Sequence, residues 1–153
     1  MAMQRSLLLL FIVFSMGNAE VNLVKKCPYG WTNLGVRCYR FFFQTVTWIT
    51  AENCQSLDAN LASVHSKIEN DFLLSLLPSS STRCWFGAHD GEVEAQWLWT
   101  DGTPFDYTHW APGQPDNKGE PRTESCGELN YENNGWNDGT CLTPQGYVCA
   151  KYL

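Results

Sequence analysis

Apolar residues recur along this chain with two different periods. In residues 47–57, Trp48, Ile49, Ala51, Cys54 and Leu57 fall at helical spacing, with Thr47 where an N-cap belongs. A second helix is signalled at 66–77, where Ser66 and Glu69 make a capping-box pair, Ile68, Phe72, Leu73, Leu76 and Leu77 share a face, and Pro78 ends the run. Short aromatic and β-branched runs at 38–43, 85–88, 96–99 and 146–151 read as strands. The pattern breaks at 104–124, which holds Pro104, Pro112, Pro115, Pro121, Gly113 and Gly119 and can be neither one helix nor a central strand. A loop of that length in a compact domain is usually functional, and Trp110 and Cys126 stand ready to tie its ends to a core.

The N-terminus has a different pattern. Arg5, the apolar run from Leu7 to Phe14 and the small residues Gly17, Asn18 and Ala19 have the order of a secretory signal peptide. The run is too short to cross a bilayer, which needs about 20 residues. We expect a signal peptide at 1–19, a single secreted, extracellular domain at 20–153, and no membrane insertion. The 153 residues, 44% hydrophobic and 14% aromatic, are globular in composition and contain no repeat or linker that would mark a second domain.

Charge sharpens this reading. The net charge is −6, yet residues 90–138 hold eleven carboxylates against only Lys118 and Arg122. That field repels phosphate backbones, so nucleic acid and anionic membranes are excluded as natural partners, and cations are favoured. Gln114, Asp116, Glu124, Asn137 and Asp138 supply the carboxylate and amide oxygens that calcium prefers, from segments on either side of Cys126. Catalytic patterns are missing: the chain has no GxSxG or HExxH motif, and His89 beside Asp90 is not enough for an enzyme. The seven cysteines, with no CxxC pair, imply a disulfide framework whose pairing the spacing leaves open.

Taken in order, several markers carry a resemblance. They are Cys27-Pro28 with Gly30-Trp31, Cys38-Tyr39, Cys54 in the first helix, Leu61 to Ser66, Trp85-Phe86-Gly87, Trp97-Leu98-Trp99, Gln114-Pro115-Asp116, Glu124-Ser125-Cys126, Trp136-Asn137-Asp138, Cys141 and Tyr147-Val148-Cys149. Residues 27–151 resemble a C-type lectin-like domain, and look most like the small secreted galactose-type lectins of fish. The resemblance implies an α+β fold of two helices and two small antiparallel sheets with a long calcium- and sugar-binding loop. It implies disulfides Cys27 to Cys38, Cys54 to Cys149 and Cys126 to Cys141, and a cis peptide before Pro115.

The resemblance further implies one Ca2+ held by Gln114, Asp116, Glu124, Asn137 and Asp138, the same residues contacting the sugar. Gln-Pro-Asp is similar to galactose binders, which points to glycans ending in galactose or N-acetylgalactosamine and to innate immune recognition or agglutination. An aromatic commonly follows that tripeptide, and Asn117 and Lys118 stand there instead. A second ion site is partly matched by Asp90, Glu94, Asn117 and Glu124, while Glu120 and Glu128 match no role. Trp31, Trp48, Trp85, Trp97 and Trp99 read as core, as do His65, His109, Trp110 and Trp136 against a sugar-contacting role for the last three. Cys84 is left over, with burial, an interchain disulfide in a homodimer, or reactive chemistry all open. The other readings are an ice-binding protein similar to type II fish antifreezes, which carry more cysteines, and a C-type lectin-like protein that binds no sugar.

Overall fold

The computed structural model describes residues 25–118 and 124–153. The expected signal peptide at 1–19, with Glu120 and Arg122 of the acidic stretch, lies outside the described residues. The chain begins with a hairpin of β1 (Thr32–Leu34) and β2 (Arg37–Val46), then α1 (Trp48–Ala51), a 3-10 turn (Glu52–Leu57), β3 (Asn60–Leu61) and α2 (Lys67–Ser75). It continues with β4 (Cys84–His89), β5 (Leu98–Trp99), β6 (Glu124–Leu129), a second 3-10 turn (Glu132–Asn134), β7 (Asn137–Thr140) and β8 (Gln145–Tyr152). Two antiparallel ladders form, β1, β2, β8 and β3 in one and β5, β4, β6 and β7 in the other. They meet where Cys84 and Trp85 pair in parallel with Gly146 and Tyr147, so one mixed eight-stranded sheet runs β1-β2-β8-β4-β6-β7.

Both helices sit where their periodicity places them, with differences of detail. Thr47 Oγ1 caps α1 by accepting from the Thr50 N–H at 3.4 Å. The expected single helix at 47–57 nevertheless tightens into 3-10 geometry after Ala51 and ends at Asp58, whose φ is +51°. Polar Asn53, Gln55 and Ser56 favour that outcome by competing for the backbone: Ser56 Oγ donates to the Asn53 carbonyl at 2.7 Å. At α2, Ser66 Oγ accepts from the Glu69 N–H at 3.2 Å, while the Glu69 carboxylate reaches one residue further back to the His65 N–H at 2.6 Å. Ile68, expected on the core face, is 72% exposed; Leu73 is fully buried, with Phe72, Leu76 and Leu77 packed beside it.

The strand expected at 96–99 narrows to Leu98–Trp99. β6 and β7 carry no hydrophobic alternation, and their sequences ESCGEL and NDGT read as loop. They pair because β6 is walled by the core: a Cβ on Gly127 would stand 2.5 Å from the Phe86 ring and 2.7 Å from Ala88 Cβ. The disulfides are Cys27–Cys38, Cys54–Cys149 and Cys126–Cys141, the pairing the resemblance implies. Trp85, Trp99, Trp136 and Trp48 are buried, and Trp31 and Trp97 pack half-buried against the two core clusters.

Cys84 is the one free cysteine among the described residues and lies on β4 with 0% exposure. Burial pushes its thiol far above the usual range, which favours the buried reading over reactive chemistry in the folded protein. An interchain disulfide in a homodimer would require β4 to leave the core. A maleimide is expected to label no thiol in native protein and one per chain in denaturant, read by mass spectrometry. Labelling at equal rates in the two conditions would contradict the burial.

One buried polar network fastens the start of the long loop to β2. Arg37 donates to the Ser63 carbonyl at 3.2 Å and to Ser63 Oγ at 3.0 Å, and lies 3.7 Å from the Asp101 carboxylate. Ser63 Oγ donates to Asp101 at 2.5 Å, and the Thr103 N–H and hydroxyl donate at 3.0 and 2.5 Å. Burial alone would raise the Asp101 pKa, but bonds from Ser63 and Thr103 and the Arg37 charge outweigh it, and the net shift is downward. A folded pKa below the unfolded one means the unfolded chain takes up the proton more readily. Stability from Asp101 is therefore present above the unfolded carboxylate pKa and lost as pH falls through the folded one. The midpoint of thermal unfolding should drop between pH 7 and pH 3, and Asp101→Asn should lower the midpoint at pH 7 and shrink that drop. An equal drop in both proteins would remove Asp101 from the acid response.

Candidate functional site

The loop after β5 is wrapped around Trp136. Phe105, Tyr107 and Trp110 set their rings at 6.4, 5.8 and 5.6 Å from Trp136, whose indole N–H donates to Asn70 of α2 at 2.7 Å. Main-chain bonds complete the anchor: Trp136 N–H to the His109 carbonyl at 2.8 Å and Ala111 N–H to the Trp136 carbonyl at 2.9 Å. A Cβ on Gly135 would meet the Ala111 nitrogen at 2.7 Å, so only glycine permits this approach. Trp136 is fully buried and Trp110 packs on it and on Trp97 at 4.6 Å. These are core residues, as the sequence suggested, and they hold 112–118 against β7.

That segment carries the acidic cluster. Carboxylate oxygens of Asp116, Glu124 and Asp138 all lie within 4.8 Å of one another. Asp138, 1% exposed on β7, accepts from the Asp116 N–H at 3.0 Å and the Asn117 N–H at 2.6 Å, which fixes the turn after the cis Gln114-Pro115 peptide. Glu124 accepts from the Lys118 N–H at 2.9 Å, and the Glu124 N–H donates to Asn117 Oδ1 at 3.2 Å. Gln114 and Asn137 line one open cavity of about 320 Å³ with Asp116 and Glu124. Gln114 Oε1 is buried without a partner, an acceptor still free for a ligand. The five residues the sequence assigned to one ion are thus brought together.

Three acids this close repel each other, and a cation relieves them. Lys118 partly does so: its ammonium sits 2.9 Å from Asp116, and this hydrogen bond and charge hold the Asp116 carboxyl below its usual range. The donor set of carboxylates, amide oxygens and flexible backbone fits calcium, a hard ion that accepts irregular oxygen cages, better than zinc or copper. For the second site, Asp90, Glu94 and Asn117 line a cavity of about 160 Å³ beside Asp116 and Asp138. Asp90 Oδ2 accepts from the Ala95 N–H at 2.8 Å and its Oδ1 is buried and unpartnered, whereas Glu124 turns its carboxylate to the first cluster.

Sequence reasoning missed three participants. Glu128, to which the resemblance gave no role, is a buried acid that accepts from the amides of Asn137, at 3.2 Å, and Gln145. Asn137 thereby spends its N–H on Glu128 and leaves its Oδ1 for other partners. Arg83 and Tyr131 line the same 320 Å³ cavity as the cluster although they lie far from it in sequence. Glu128 is one of the eleven carboxylates of 90–138, and nothing local in the sequence singles it or the other two out.

The structure also contains a Ser-His-Asp line: His65 Nε2 lies 3.1 Å from Ser63 Oγ and its Nδ1 2.7 Å from Asp106. Ser63 is fully buried and its proton already goes to Asp101, so it offers a substrate no nucleophile. His89, its pKa lowered by burial, lines a separate cavity of about 410 Å³ with Trp48 and Glu52 and makes no side-chain hydrogen bond among the described residues.

A family profile described as the lectin C-type domain matches residues 44–151. The chain is 36% identical over 151 residues to the galactose-specific lectin nattectin of Thalassophryne nattereri, covering 94% of each. Herring type II antifreeze protein superposes with a TM-score of 0.77 at 35% identity, over 83% of this chain and 99% of that one. The C-type carbohydrate-recognition domain of cow CD23, solved with a GlcNAc2Man3 oligosaccharide, superposes with a TM-score of 0.77 at 32% identity, over 84% and 97%.

Proposed function

Because this chain belongs to the lectin C-type domain family, we propose that it is a secreted, calcium-dependent lectin for glycans ending in galactose or N-acetylgalactosamine. The family binds carbohydrate without transforming it, and the chain is not an enzyme. The observation that carries the proposal is the convergence of Asp116, Glu124 and Asp138 within 4.8 Å, with Gln114 and Asn137 lining the cavity at its mouth. Similarity to a galactose-specific fish lectin supports the choice of sugar, and the putting of an amide before Pro115 and an acid after it supports the same choice.

In this reading Asp116, Glu124 and Asp138 provide the charge that holds the ion, and Gln114 and Asn137 add neutral oxygens. When bound, calcium supplies coordination positions for two adjacent sugar hydroxyls. The Gln114 amide then donates to a sugar oxygen while the carboxylates accept hydroxyl protons, and this donor and acceptor order discriminates between sugars; Asn137, whose N–H groups go to Glu128 and the Asp138 carbonyl, offers its Oδ1. Asp138 orients the loop by gripping the backbone of Asp116 and Asn117. No helix among the described residues is long and apolar enough to cross a membrane, which accords with secretion behind the expected leader at 1–19. Roles in innate recognition or agglutination would require clustering of sites for avidity, and with Cys84 buried that clustering is noncovalent.

The test is retention on galactose resin in calcium with release by chelator. Retention that survives chelation, or on mannose resin alone, contradicts the proposal. Likeness to herring antifreeze protein favours ice binding as a second reading. Altered ice-crystal shape in protein that galactose resin does not retain would select it.

A further inference from the structure

We propose that Arg83, Lys118 and Tyr131 form the outer half of the sugar site and select galactose-type sugars carrying an anionic group, a sulfate or a carboxylate. The inference rests on the lectin reading above. All three residues line the 320 Å³ cavity that Gln114, Asp116, Glu124 and Asn137 share. Two of the seven lining residues are therefore cations: Lys118, one of only two basic residues between Asp90 and Asp138, and Arg83, which comes from outside that acidic stretch.

The Arg83 wall is built, not incidental. Asn130, with φ +63°, turns its side-chain amide to the Ser80 and Thr82 carbonyls at 3.0 and 2.8 Å, tying the segment before Arg83 to the turn that carries Tyr131. The Tyr131 N–H donates to the Gly135 carbonyl at 2.9 Å, and the Arg83 guanidinium lies 4.4 Å from the Tyr131 ring centre. Its Nη1 is 3.8 Å from Glu128, the acid that also holds Asn137, so one scaffold sets both the cation and a proposed sugar ligand. Arg83 remains half exposed, able to turn remaining N–H groups to an incoming oxyanion.

Lys118 supplies the second cation of the wall. Its ammonium is paired with Asp116 at 2.9 Å, and an ion held by Asp116 competes for that carboxylate. The Lys118 charge is then available beside Arg83, while the charge of Glu128 stays behind the wall with Asn137 and Gln145. Tyr131 offers an aromatic surface for the apolar face of the ring, a part that Asn117 and Lys118 cannot play after Gln114-Pro115-Asp116.

Competition for galactose resin in calcium tests this with soluble galactose, galactose 6-sulfate and galacturonic acid, whose charges sit at carbon 6 and leave the ring hydroxyls free. The charged sugars are expected to compete about tenfold better than galactose, the scale of an added charge-assisted hydrogen bond. In Arg83→Gln and Lys118→Gln that ratio should fall towards one, galactose on the same variant serving as the internal reference. Preference for the sulfate alone or for both anions identifies the recognised group and supports the proposal. A ratio of one or less in the native protein, or a ratio unchanged in the double variant, overturns it while leaving the galactose reading intact. Absence of chelator-released retention on galactose resin overturns both.

Discussion

Asp138→Ala is expected to remove calcium binding and, with it, sugar binding. The side chain is 1% exposed, contributes one of three carboxylates within 4.8 Å, and accepts the backbone N–H groups of Asp116 and Asn117. Its loss therefore subtracts charge from the ion site and frees the turn that presents Asp116. Removing groups that merely orient metal ligands costs 10 to 100-fold in affinity, so removing a ligand that is also the organiser should cost at least about 100-fold. Calorimetric titration with calcium measures this directly. Asp138→Asn, which keeps an acceptor for the turn but loses the charge, should fall between native and alanine. Calcium affinity within about threefold of native in the alanine variant would contradict the assignment. Far-ultraviolet circular dichroism separates a lost ion site from a lost fold.

The second large effect concerns the fold. Trp136→Ala should destabilise by about 3–5 kcal/mol, the range for deleting a large buried aromatic. Trp136 has no exposed surface and stands among Phe86, Trp99, Phe105, Tyr107 and Trp110, so its removal leaves a void ringed by aromatics that cannot collapse together. Asn70, fully buried, would lose the indole donor on Oδ1 while its Nδ2 is already unpartnered. Chemical denaturation followed by fluorescence should show the transition shifted to much lower denaturant, and Trp136→Phe should lie between. An unshifted midpoint would mean that the ring cluster contributes little, which its burial does not allow.

How much of this was legible beforehand depends on distance along the chain. The capping pair Ser66 and Glu69 and the stop at Pro78 are local signals, and α2 appears where they put it. β2, β4 and β8 announce themselves through apolar runs. β6 and β7 do not, because Gly127 is required by close approach to Phe86 and Gly139 by close approach to Glu128, and their acids carry no strand propensity. The shortening of α1 depends on competition from Asn53 and Ser56 that periodicity does not register. Within the site, Gln114, Asp116, Glu124, Asn137 and Asp138 were readable as oxygen donors on two neighbouring segments. Arg83, Glu128 and Tyr131 were not, since the pairing of β4 with β6 and the packing of the Ser80–Thr82 backbone on Asn130 bring the first to the last.

The anchoring of the long loop has a consequence for protein engineering. Its near end is locked by Asp101 on Ser63 and Arg37, and further along by the main-chain exchange between His109, Ala111 and Trp136, so the residues of the loop that pack on the core, Phe105, Tyr107, Trp110 and Ala111, lie before position 112. Residues 112–118 touch the body of the protein chiefly through Asp138 and Glu124. The segment is therefore separable from the core: a different sequence grafted between Ala111 and Lys118, with the Asp138 and Glu124 contacts kept, is expected to leave the unfolding midpoint of the scaffold nearly unchanged.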